Sequence, residues 1–254
     1  MSSESKPRIF ITGDIHGGNS IRKLSSKKFS VSDGVPAHAG FRYNDFDPPL
    51  NKDDYLIITG DFGLLFYPEG SPLDKRDQYW LNWLDEKPWT TLFVDGNHEN
   101  HPRLNSYQSM QWNGGKIHEI RESVYHLMRG QVFNLHGNKF FTMGGASSHD
   151  IEWRTKDKDW WTQEIPSFCE REEAIANLAK HNWKVDYVIT HDAPTFAAEK
   201  LIYTQDRSPD EYTDWLEEIA NKLEFNQWFF GHHHQDRELF DGKFQCMYHD
   251  IVAL

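Results

Sequence analysis

Cysteine is nearly absent from the 254-residue chain, which has only Cys169 and Cys246. Two thiols cannot build a disulfide scaffold or a thiolate-rich zinc module, so both read as packing residues or inert thiols of a reduced, cytoplasmic protein. Nor is there a run near the ~18 consecutive apolar residues that a membrane-spanning helix needs. Met1 to Pro7 is polar and lacks the apolar core of a secretory signal, so no membrane partner is expected. Positive charge is also scarce: 27 Lys and Arg stand against 39 Asp and Glu, a net charge of −12. That balance disfavours a broad basic surface for duplex nucleic acid. Internal repeats and low-complexity tracts are missing as well. Aromatic residues are plentiful, with ten Trp and seventeen Phe in a chain that is 38% hydrophobic. A core is therefore available despite a mean hydropathy of −0.74, and residues 1–254 have the length of a single α/β domain.

Five polar clusters punctuate the chain, each directly after a short apolar run: GDIHG at Gly13–Gly17, GDFG at Gly60–Gly63, GNHE at Gly96–Glu99, THD at Thr190–Asp192 and GHHH at Gly231–His234. The preceding runs (Arg8–Ile11, Tyr55–Ile58, Thr91–Val94, Tyr187–Ile189 and Trp228–Phe230) are β-rich and bounded by Gly or Asp, the pattern of buried strands. Side chains at the carboxyl ends of neighbouring strands meet in one crevice. Asp14, His16, Asp61, Asn97, His191, His232 and His234 thus offer carboxylate, imidazole and amide donors to first-row divalent ions. One Asp-x-His or Gly-Asp by itself is ordinary turn chemistry. Five in order, each at a strand end, point to ligation.

The ordered set D-x-H, GD, GNH[DE], H and GH-x-H, running from Asp14 to His234, resembles the calcineurin-like metallophosphoesterase superfamily. The resemblance implies an α/β fold, a two-sheet β-sandwich flanked by helices, with a dinuclear metal site at its edge. It implies that Asp14, His16 and His234 hold one ion, that Asn97, His191 and His232 hold the other, and that Asp61 bridges them. His98 becomes the catalytic general acid. Two ions about 3.5–4 Å apart clamp both ends of an in-line displacement and lower the pKa of a water between them, so that hydroxide attacks phosphorus. Manganese is the expected ion, with iron, zinc and nickel compatible with the same donors. The chain departs from the protein Ser/Thr phosphatases of the superfamily, which carry Asp-Arg-Gly after the second motif and an arginine before the GNHE glycine. Here Phe62 and Asp95 stand instead, so that arginine clamp is missing. Glu99 and Asp95 are left as candidates to orient His98.

Outside the clusters, helical stripes are predicted around Asp77, Trp80, Leu81 and Leu84, between Glu170 and Asn182, and along Tyr212, Trp215, Leu216, Ile219 and Leu223. Hairpins are predicted across His136-Gly137-Asn138 and across Asp241-Gly242. Residues 21–54, rich in Lys, Gly and Pro, read as a loop insertion. The segment Gly144–Trp161 presents His149, Arg154 and three tryptophans as substrate contacts, or as a surface loop whose tryptophans pack on the domain. The expected function is metal-dependent hydrolysis of phosphate mono- or diesters of a small molecule or nucleotide. A nuclease acting on single strands is the alternative, disfavoured by charge, and a non-catalytic scaffold follows because no ligand position is lost.

Overall fold

A computed structural model describes residues 7–18, 20–26, 40–201 and 210–254. Two sheets stack face to face with helices outside each. The first contains β1 (Ile9–Thr12), β2 (Tyr55–Ile58), β3 (Thr90–Phe93), β4 (Ser109–Trp112), β5 (Gly115–Arg121), β6 (Val124–Leu127) and β13 (Ile251–Ala253), in the order β13-β1-β2-β3-β6-β5-β4. The second contains β7 (Gln131–Leu135), β8 (Asn138–Met143), β9 (Tyr187–Thr190), β10 (Gln227–Phe230), β11 (Arg237–Leu239) and β12 (Phe244–Cys246), in the order β11-β12-β10-β9-β8-β7. The centre of each sheet is parallel: β1, β2, β3 and β6 in one, β8, β9, β10 and β12 in the other.

Side chains of period two assemble the layers. Ile11, Ile57 and Leu92 of the first sheet meet Phe133, Phe140, Ile189 and Phe229 of the second in the inter-sheet core. Their neighbours point outward: Phe10, Leu56 and Ile58 pack with Leu81 and Leu84 of α1 (Pro72–Asp85). Val188, Trp228 and Phe230 pack with Ala174 and Leu178 of α3 (Phe168–Lys180) and Leu216 and Ile219 of α5 (Glu211–Lys222). Strands buried on both faces read as continuous apolar runs, and full burial contributes ~1.5–3 kcal/mol per large side chain. Two single-turn helices, α2 (His101–Leu104) and α4 (Thr195–Ala198), complete the set.

Helix starts follow local capping chemistry. Ser71 caps α1 by accepting from the Asp74 N–H, with Pro72 in the first turn. Ser167 with Glu170, and Asp210 with Thr213, form reciprocal capping boxes on α3 and α5. Both expected hairpins form, as β7/β8 and β11/β12. The turn residues His136 and Gly137 both have positive φ, as a two-residue hairpin twisted to match its strands requires. In the expected insertion, 3-10 turns occupy Ile21–Leu24 and Tyr43–Asp45, and residues 27–39 lie outside the described residues, as does most of Met1–Pro7. No helix among the described residues is long and apolar enough to cross a membrane.

Candidate metal centre

The five loops that carry the polar clusters leave the carboxyl ends of β1, β2, β3, β9 and β10 on one edge of the sandwich. Asp14, His16, Asp61 and His234 converge there, with one donor atom from each lying within 4.8 Å of all the others. Asp14 Oδ2 is buried without a hydrogen-bond partner, its neighbour His234 Nε2 lying 3.3 Å away. His16 Nε2 and His234 Nε2 face one another at 2.9 Å. Beside this group, His191 Nε2 is 3.2 Å from both Asp61 Oδ1 and Asn97 Oδ1. The His232 ring lies 5.1 Å from that of His191. All seven residues expected as ligands are thus gathered at one edge.

Four of them, His16, Asp61, His232 and His234, have φ between 43° and 63°. Left-handed backbone is costly for a side chain with a Cβ and concentrates where function demands it. Glycine makes the close approach possible: a Cβ on Gly60 would lie 2.1 Å from His191 Nδ1, and one on Gly96 would lie 2.1 Å from Asp61 Oδ1. Side chains around the edge then fix ring and amide orientation. His191 Nδ1 meets the Thr59 carbonyl at 2.8 Å, which turns Nε2 toward the carboxylates. Asn97 Nδ2 donates to Ser148 Oγ, which donates to Glu164, so Asn97 Oδ1 faces His191. The buried Lys23 ammonium donates to the Gly13 and Asp14 carbonyls and to that of Tyr248, tying the first loop to the chain after β12.

The electrostatics call for a cation. Asp14 and Asp61 are both buried, and their charge holds the His191 imidazole up at about 10 even though burial acts in the opposite direction. A proton on His191 therefore supplies part of the positive charge this pair requires. His232, buried and flanked by other histidines, is pushed down to about 3. Mixed imidazole, carboxylate and amide donors, an unpartnered carboxylate oxygen and this deficit of positive charge fit divalent ions.

Residues 7–236 match the Calcineurin-like phosphoesterase family. The chain belongs to that family. It is 25% identical over 235 residues to the lariat debranching enzyme of Schizosaccharomyces pombe, covering 80% of this chain and 49% of the relative. Its fold is similar to a Staphylococcus aureus structure provisionally assigned as a 5'-nucleotidase, in complex with alpha-ketoglutarate, at TM-score 0.50 and 15% identity over 96% of this chain and 48% of the other. A phosphopantetheinyl hydrolase from Mycobacterium tuberculosis aligns at TM-score 0.47 and 13% identity over 96% of this chain and 88% of that one. The chain spans about half the length of the first two.

The family's phosphatase-type arginines have structural replacements here. Phe62 stacks on Phe93 at 3.9 Å in the core, where a guanidinium could not be solvated. Asp95 takes two bonds from Arg129, at 2.9 Å through Nε and 2.5 Å through Nη2, and sits 3.1 Å from His126 Nε2. Glu99 accepts from the Phe62 and Gly63 N–H groups, while burial together with the Asp61 and Asp95 charges raises its carboxyl well above the usual range. Both carboxylates left as candidates to orient the His98 ring are thus engaged elsewhere. That ring instead meets Arg154, with Nη2 at 3.2 Å from Nε2, and its backbone N–H donates to Asp61 Oδ1.

The Gly144–Trp161 segment divides its roles. His149 Nε2 is 3.3 Å from His232 Nε2, and Arg154 pairs with Asp150 at 2.7 Å. Trp161 is buried and packs edge-on against Phe66, whereas Trp153 is 88% exposed. Within GHHH, His233 turns away to Asp192 Oδ1 at 3.2 Å. Sequence reasoning assigned no role to Glu164 or Arg129, which act over 16 to 35 residues of chain with no local signature. It also passed over Phe66 and Tyr67, although this aromatic pair lies three residues beyond the second cluster.

Proposed function

We propose that the chain hydrolyses phosphate mono- or diesters of a small molecule or nucleotide, using two divalent ions. The observation that carries this reading is the convergence of Asp14, His16, Asp61 and His234 donor atoms within 4.8 Å at the strand ends. In this reading Asp14, His16 and His234 hold one ion, Asn97, His191 and His232 the other, and Asp61 both. Bound there, the ions supply Lewis acidity and a nucleophilic water near neutral pH, with manganese the ion expected to support turnover and iron, zinc and nickel acceptable to the same donors. The whole of residues 1–254 is taken as one domain, placed in the cytoplasm on the strength of its two thiols.

The chain's own residues do the rest. His98 is the proton donor to the departing oxygen. Arginine only donates, so in the arrangement described Nε2 accepts from Arg154 and carries no proton. Burial and the adjacent Arg154 and His16 lower the ring's pKa, Asp61 opposing them. For transfer, the guanidinium must pass from His98 to a phosphate oxygen as substrate enters, where a bidentate contact is available to it, and the freed Nε2 must take up from solvent the proton it then donates. Arg154 then clamps the phosphoryl group, while His149 lines the same recess beside His232.

Purified protein loaded with manganese is expected to release nitrophenol from 4-nitrophenyl phosphate or its bis-ester. With phenyl phosphate, whose more basic leaving oxygen needs the proton, His98→Ala should slow turnover by about 10²–10⁴, and Asp61→Asn should abolish it with every ester, both with unchanged circular dichroism. Full activity in either variant would sink the assigned roles. A nucleic-acid phosphodiester is the second reading, favoured by the 25% identity to a lariat debranching enzyme and opposed by the net charge of −12. Single-stranded RNA and DNA in the same substrate panel separate the two, since cleavage of these alone would establish the second.

A further inference from the structure

His98 stands between two recesses. One lies over Asp61, Asn97, His232 and His234, with Arg154 at its rim. The other, of about 180 Å³, is lined by His16, Gly63, Phe66, Tyr67, Arg76 and His98. Four of the candidate ligands line the first and only His16 the second, so a phosphoryl group belongs in the first. What is bonded to it on the His98 side extends into the second.

The second recess has its own chemistry. Phe66 and Tyr67 are half-buried and set edge to face at 5.4 Å, a ring platform with exposed surface. The Arg76 guanidinium lies 5.7 Å from the Tyr67 ring centre and keeps 40% of its side chain exposed, with Nε and Nη2 reaching Asp77 Oδ1 at 3.3 and 3.2 Å. The platform is held in place from behind. Asn100 Nδ2 donates to the Phe66 carbonyl, Arg103 Nη1 donates to that of Tyr67 at 2.6 Å, and Arg103 is itself paired with Asp74 at 2.8 Å. A recess built this way is formed before the ligand arrives, and it is smaller than the ~300–1,000 Å³ of a drug-sized site. It accommodates one ring-sized group.

We propose that this recess receives the leaving group of the ester, and that Arg76 selects leaving groups consisting of a planar ring with an oxyanion of its own, a carboxylate or a second phosphate. The ring lies on Phe66 and Tyr67, and the oxyanion meets the guanidinium fork, whose geometry suits either anion. The inference rests on the phosphoesterase reading and assigns its substrate class. In the reaction the oxygen of water forms the new bond to phosphorus, and the bond to the ring-bearing oxygen breaks with its electron pair on that oxygen. The proton it gains comes, in net, from the water.

The test uses phenyl phosphate, 3-carboxyphenyl phosphate and 3-phosphonophenyl phosphate as a matched set, with manganese-loaded protein of residues 1–254. We expect the protein to favour the two charged-ring esters at least tenfold over phenyl phosphate, through KM rather than kcat, and to bind them with the same preference in calorimetry. The larger preference of the two identifies carboxylate or phosphate as the anion. Arg76→Gln should bring the ratio close to one, and Arg76→Lys should retain part of it. A ratio measured within one protein does not depend on how much of a variant folds. A preference absent from the wild type, or intact in Arg76→Gln, overturns the inference. Hydrolysis of none of the three esters, with the binding preference present and lost in Arg76→Gln, would sink the phosphoesterase reading and leave the anion-selective recess standing.

Discussion

At the scale of single residues, the protein buries histidines for two opposite purposes. Without metal, His191 lies among carboxylates and is held protonated, whereas His118 lies against another histidine, with Nδ1 3.1 Å from His126 Nδ1. Asp95 accepts from His126 Nε2, so in this pair His118 Nδ1 donates to His126 Nδ1. Burial, reinforced by His126 and opposed by Asp95, lowers His118 to about 4. An unfolded histidine titrates near 6.5. Between these values the unfolded chain binds a proton that the folded chain refuses, so stability is complete above about pH 6.5 and falls as pH drops toward 4. The loss from this residue is ~2–3 kcal/mol. Urea unfolding of metal-free protein at pH 7 and pH 4.5 should show it, and His118→Gln should flatten that part of the slope. Equal slopes in the two proteins would count against the assignment.

At the scale of elements, loops from distant parts of the chain are fastened to one another behind the site. Arg129, just after β6, pairs with Asp95 after β3, and its Nη2 also donates to the Gln163 and Glu164 carbonyls. Gly145 N–H closes the circuit on the Asp95 carbonyl at 2.9 Å. Both charges are buried, so removing one strands the other. Arg129→Met is expected to cost about 3–5 kcal/mol in denaturant unfolding, and Asp95→Asn in the same background much less than it costs alone. Additive costs would show that the pair is not a unit. These fastenings are also what the sequence conceals. β1, β2, β3, β9 and β10 are legible because parallel strands covered on both faces must be apolar throughout, as in Tyr55-Leu56-Ile57-Ile58. The stretch β4 to β6 is not: Ser109–Trp112 is largely exposed, and Lys116, His118 and Glu119 interrupt any apolar alternation. The seven candidate ligands are legible because each cluster carries its donors within a few residues. The His98–Arg154 and Asn97–Ser148 contacts join residues 56 and 51 apart, and no local pattern encodes them.

At the scale of the whole molecule, the fold brings buried carboxylates to one edge of a protein that already carries a net charge of −12. Folding without ions must bear that concentration of charge, relieved in part by the proton on His191 and by the Lys23 ammonium, which is lowered by burial to about 8. Ions that bind only the assembled edge therefore stabilise the folded state by mass action. At a free concentration one hundred times Kd, one bound ion contributes about 2.7 kcal/mol. For a chain of this size each kcal/mol moves the midpoint by about 2–4 °C. Manganese at that concentration is expected to raise Tm by about 5–10 °C per site, and EDTA should reverse the rise. An acidic surface also responds to ionic strength, so sodium chloride of equal ionic strength is the control, and it should reproduce little of the shift. The Asp14→Asn/Asp61→Asn double variant removes both buried carboxylates and should lose the manganese response while keeping the sodium response. A shift of the same size in that variant, or with sodium alone, would place the effect on the general surface and remove the thermodynamic support for a metal centre at the strand ends.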